Sequence, residues 1–141
     1  MARSATARRA PAASRARSSK APLCELGLYL FGASDQEKLL AAVEAGDRHH
    51  KLLAAVRKYD DHADRLGYGG FFFWFDMLGR AEAIAELKDD AKRKQLAAAQ
   101  HKLIMELPEF DGCFVDSHEL GRCYGTAMAL LCFDVLARAQ R

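Results

Sequence analysis

Asp60-Asp61-His62-Ala63-Asp64 is the densest group of metal-seeking side chains in the 141-residue chain. On a helix, positions i, i+1 and i+4 put carboxylates on adjoining faces, and hard oxygen ligands of that kind suit Mg²⁺ bridging a diphosphate. The competing reading is a solvated or salt-bridged helix end. His49, His50 and His62 flank the same stretch. His50 and Asp61 lie about three helical turns apart and so share a face, which makes a mixed His/Asp site for a transition metal the second option. Cys113, His118 and Cys123 are spaced Cys-x₄-His-x₄-Cys. Those are three zinc-type ligands, with Asp111 or Asp116 as a fourth, or else a loop with two buried thiols.

The elements that must position these groups read as helices. Leu23 to Phe31 is a short apolar helix following Pro22. Ser34 is a candidate N-cap, with Asp35 and Glu37 in the first turn. Leu39, Leu40 and Val43 form one stripe. Gly46 then reads as a break, with Asp47 capping a second helix that carries His49, Leu52, Leu53, Val56 and Tyr59 and runs to about Leu66. Gly67 and Gly69-Gly70 stop it. Phe71 to Phe75 is five aromatics in a row. A run without a polar face belongs where it is covered on every side. The helix-forming continuation Ala81-Glu82-Ala83-Ile84-Ala85 favours helix over strand. Asp89-Asp90 open a helix spanning Ala91 to Leu107, with Leu96, Ala99, Leu103 and Leu107 inward and Lys92, Arg93 and Lys94 outward. Pro108 ends it. A loop from Glu109 to Arg122 leads to a last helix from Tyr124 to about Ala139. The expected class is all-α, built of antiparallel helical hairpins.

Charge divides the chain. Residues 1–20 hold Arg3, Arg8, Arg9, Arg15, Arg17 and Lys20 and no acid, leaving 15 basic against 19 acidic residues for the remainder. Residues 1–21 thus read as a disordered basic tail and 22–141 as the folded domain. The tail lacks the apolar run of a secretory signal, and no stretch is long enough to span a bilayer. Four cysteines without a Cys-x-x-Cys pair suggest free thiols in a reducing, cytoplasmic setting. No P-loop, nucleophile elbow or dinucleotide glycine motif occurs.

Gln100, the Asp111-Gly112 turn, Phe114 and the segment Tyr124-Gly125-Thr126-Ala127-Met128 together resemble the closing repeat of the terpenoid cyclase and protein prenyltransferase toroid family. Gly67-Tyr68-Gly69-Gly70-Phe71-Phe72-Phe73-Trp74-Phe75 is similar to that family's glycine- and aromatic-rich entry to an inner helix. The resemblance implies part of an α-α toroid. It implies an aromatic wall of Tyr68, Phe71, Phe72, Trp74 and Phe75 facing an apolar, isoprenoid-like ligand. About five helices are too few for a closed ring, so an apolar edge open to self-association or a partner chain is expected. The chain departs from the family at its chemistry. It has no Asp-x-Asp-Asp acid, and Gly125 stands where a zinc-binding His would be. The reading is therefore a noncatalytic helical module that holds an apolar ligand or a partner. One alternative is a Mg-dependent isoprenoid diphosphate-processing enzyme using Asp60, Asp61 and Asp64, a pattern also resembling the Asp-Asp-x-x-Asp of isoprenyl diphosphate synthases, with His50 a candidate ligand only in the separate transition-metal option. Another, less favoured, is nucleic-acid binding through the basic tail and a zinc-knuckle-like Cys/His loop.

Overall fold

Local chemistry accounts for where each helix starts and stops. The structure, a computed structural model, describes residues 21–55, 57 and 73–141. Helix α1 is Ala21–Leu30. Pro22 sits in its first turn, where a missing N–H costs nothing. Beyond its end, Ala33 N–H donates to the Leu28 carbonyl at 2.8 Å. Helix α2 is Gln36–Ala55. Its cap is Asp35, whose Oδ1 accepts from Lys38 N–H at 2.9 Å. The sequence points to Ser34 instead, but Ser34 Oγ donates to the Glu25 carboxylate of α1. Helix α3 is Phe73–Ala85. Helix α4 is Asp90–Met105, capped by Asp89, whose Oδ1 accepts from Lys92 N–H at 3.0 Å. Helix α5 is Gly121–Ala139. It starts a turn earlier than expected because Ser117 prepares it. The Ser117 carbonyl accepts from Gly121 N–H at 3.0 Å, and its Oγ accepts from Leu120 N–H at 3.2 Å. The described residues are all-helical, with no strand among them.

Gly46 does not break the chain. It lies inside α2 and is buried. A Cβ there would come 2.9 Å from Pro22 Cγ and 3.2 Å from Arg80 Cδ. The residue is the point where α1 and an α3 side chain close on α2. Asp47 is accordingly an ordinary exposed helix residue and caps nothing.

Helix α3 is the centre of the assembly, packing against α1, α2, α4 and α5. Successive helices pack as antiparallel hairpins, and α1 and α5 each lie on α3 without extensive contact with one another. The result is two layers, α1, α3 and α5 in one and α2 and α4 in the other. The core is built from Leu39 and Val43 of α2, Phe73, Trp74, Met77 and Ile84 of α3, Ile104 of α4 and Leu136 of α5. The helical reading of the Phe run holds from Phe73 onward, but uniform burial does not. Phe73 and Trp74 are fully buried, whereas Phe75 is 47% exposed. Consecutive helical residues diverge by about 100°, so three in a row cannot all face one core. On α4 the buried line is Ala97, Gln100 and Ile104, while Ala99 is exposed. Leu96 and Leu107 of the expected stripe pack against the core from its edge, and the fully buried line lies one residue over, where Gln100 Nε2 donates to the Met77 carbonyl at 2.6 Å. Among the described residues no helix is long and apolar enough to cross a membrane.

Candidate functional site

Residues 56 and 58–72 lie outside the described part, and with them Asp60, Asp61, His62, Asp64, Tyr68, Phe71 and Phe72. The described members of the two expected sites are His50, Trp74 and Phe75.

His50 sits on the buried side of α2 against α3. Arg80 Nη2 is 3.3 Å from His50 Nδ1 and donates to Met77 Sδ at 3.1 Å. A guanidinium has no acceptor, so Nδ1 must accept and the ring proton resides on Nε2. Burial first, and then the Arg80 charge, lower the His50 pKa to about 4. The ring is thus neutral and its Nδ1 is engaged. Burial also lowers the Arg80 pKa and, opposite it, pushes the Cys132 thiol up to about 12. That sulfur is a core atom, not a nucleophile. Gly46, His49, Leu53, Asp76, Met77 and Arg80 line a narrow cleft beside this cluster.

Trp74 belongs to a second knot, where the 109–120 loop meets the start of α3. Its Nε1 donates to the Val115 carbonyl at 3.2 Å, and Arg57 Nη1 donates to the same oxygen at 2.9 Å. Arg57 Nη1 is also 3.8 Å from Glu109 Oε1. The indole meets Phe73 and Phe114 edge-on at 5.3 Å each. Trp74 therefore has no surface to offer a ligand. Asp116 is wholly buried here. Burial raises its pKa to about 6, against the pull of the Trp74 N–H, the Arg57 charge and the Phe73 N–H. Neither carboxylate oxygen completes a hydrogen bond. Across the loop, Phe114 N–H donates to Thr126 Oγ1 at 3.1 Å. A Cβ at Gly125 would collide with the Phe114 carbonyl. Glycine is needed there because loop backbone lies directly on α5.

Cys113, His118 and Cys123 form neither the zinc site that their spacing allows nor a loop with two buried thiols. Cys113 is half-buried, and His118 and Cys123 are exposed. Cys123 is drawn into the first turn of α5, away from the loop. Among the described residues no three or more His, Cys, Asp or Glu side chains converge to hold a metal ion.

The third feature is the gap between α1 and α5. It is a groove of about 530 Å³, lined by Leu26 and Leu30 of α1, Glu82, Ala85 and Glu86 at the α3 end, Arg93 of α4, and Val135, Arg138 and Ala139 of α5. Leu26 and Leu30 are one turn apart, so both project the same way. Phe75 shares the α3 face of Glu82 and Ala85, and Leu131 shares the α5 face of Val135. Both are about half exposed, which extends the apolar lining beyond the groove itself. One end is closed by Arg93. Its Nε donates to the Ala139 carbonyl at 3.0 Å and its Nη1 to the Leu87 carbonyl at 3.1 Å. A residue that reads as solvated thus ties the C-terminal ends of α3 and α5 together.

Sequence reasoning missed Arg57, Arg80 and the groove, and it gave Arg93 and Asp116 other roles, an outward helix residue and a candidate zinc ligand. Asp76 and Arg80, one turn apart within an apolar helix, carried a usable signal of a buried polar cluster. Nothing in the sequence marked the groove, because it is a gap between elements.

Comparison with protein-family models, with curated proteins and with solved structures returns no match.

Proposed function

We propose that the chain is a noncatalytic helical module that holds an apolar ligand or partner segment in the groove between α1 and α5. The observation that carries this reading is the groove itself. Its apolar walls come from two helices that pack on α3 without extensive contact with each other, and its volume suits a small ligand or one turn of a partner helix. The exposed Phe75 supports the part of the aromatic wall that faces outward. The layered hairpins and the segment from Gln100 to Met128 support reading the chain as a short relative of the toroid proteins, with the open groove standing where further hairpins would otherwise pack. Self-association through the same apolar edge is the form this takes if the partner is a second copy.

The test is titration with a neutral solvatochromic dye at high ionic strength, so that apolar contact rather than charge is read. Ala85→Trp fills the groove floor. It is expected to weaken dye binding about tenfold, the effect of removing one well-filled apolar contact. An unchanged affinity in a variant with native far-UV ellipticity would overturn the reading.

A further inference from the structure

We propose that residues 1–20 of the same chain are the segment that docks in the groove between α1 and α5, an assignment that rests on the groove being a binding surface. Charge is the first argument. Glu82 and Glu86 are exposed at the groove and neither forms an ion pair among the described residues. The C-terminal residues Leu30 of α1, Ala85 of α3 and Ala139 of α5 all line it, so three helix ends add negative partial charge to one place. The cations nearby are committed elsewhere. Arg93 holds the Leu87 and Ala139 carbonyls and Asp90, and Arg138 pairs with Asp134 at 3.0 Å. An apolar trough with unmatched negative charge calls for a segment that is basic and lightly apolar.

Residues 1–20 have that chemistry. They carry six basic side chains and no acid, interleaved with alanines such as Ala5, Ala7, Ala10, Ala13 and Ala16. Small side chains let a backbone enter a narrow trough while arginines reach its rim. Length is the third argument. The segment joins α1 at Ala21, and the groove begins at Leu26 and ends at Leu30. Nine helical residues span only about 14 Å, whereas twenty extended residues reach up to about 66 Å. The segment can double back with length to spare. Tethering raises its local concentration, so a few weak ion pairs are enough to hold it.

The experiment uses the full chain and the same neutral dye. Arg8→Glu, Arg9→Glu, Arg15→Glu and Arg17→Glu together should remove the competing segment and tighten dye binding about fivefold at low salt. Raising the salt should bring the wild type to the variant's affinity and leave the variant unchanged. Glu82→Gln with Glu86→Gln should tighten dye binding in the same way. Equal dye affinity in the wild type and the tail variant at low salt would overturn the assignment. Ala85→Trp, placed in the tail variant, separates the two claims. If it weakens the dye although the tail substitutions do nothing, the groove stands and the tail assignment falls. If it changes nothing, the groove reading falls as well. A concentration-dependent mass that the tail substitutions abolish would place the segment on a second copy and overturn the intramolecular assignment.

Discussion

Asp116 and His50 are two buried titratable groups with opposite effects on stability. Burial raises the Asp116 pKa from 3.8 to about 6. A raised carboxyl stabilises the fold fully below its unfolded pKa and loses that contribution as pH climbs toward 6. His50 is lowered from 6.5 to about 4 by burial and by Arg80. The unfolded chain then binds the extra proton, so His50 costs stability as pH falls from 6.5 toward 4. Each shift corresponds to about 3 kcal/mol, and over the shared window they nearly cancel. Asp116→Asn keeps a side chain of the same shape beside Phe73 and Trp74 while removing the buried charge. Thermal melts should show the variant more stable at neutral pH by about 2 kcal/mol, with a steeper loss between pH 6.5 and 4 than the wild type. Parallel curves for the two proteins would contradict this account of Asp116.

At the scale of elements, the helix ends matter more than the helix interiors. Asp35 and Asp89 start α2 and α4 through their own side chains. Gln36 reaches the end of α3, its Nε2 donating to the Glu86 carbonyl at 3.0 Å and its Oε1 accepting from Lys88 N–H at 2.9 Å. Arg93 binds two helix ends with one guanidinium fork. Lysine keeps the charge but cannot supply both donors in that geometry. Arg93→Lys should therefore lower stability by about 1–2 kcal/mol. It should also speed amide exchange in the last turn of α5, with α2 unaffected. Uniform exchange changes across all helices would argue against the clamp. Gly46 teaches a related lesson. Its backbone freedom is unused. What α2 needs there is the absence of a side chain, because Pro22 lies against it.

For the whole molecule, α3 sets the cooperativity. It contacts each of the other four helices, and Trp74, the chain's one tryptophan, lies where α3 meets the 109–120 loop. Tryptophan fluorescence and far-UV ellipticity should therefore lose signal at the same denaturant concentration. An ellipticity transition that precedes the fluorescence change would show α1 and α2 melting on their own.

The all-α class, the helix starts at Asp89 and near Gln36, the stop before Pro108 and the helical continuation of the Phe run were legible from local signals. Caps, proline and periodicity act within one turn, so a linear string carries them. The inward side of α2 was legible in Leu39 and Val43, both buried, whereas on α3 and α4 the inward side was decided in three dimensions. On α4 the fully buried line runs through Gln100, to which the Met77 carbonyl offers a buried partner. Phe75 faces outward because its neighbours on α3 already fill the core. Arg80 takes its role from His50, 30 residues away along the chain, Arg93 from Ala139, 46 residues away, and Asp116 from burial itself. The groove could not be read from any stretch of residues, since its shape is the distance between α1 and α5, and only the packing of both on α3 sets that distance.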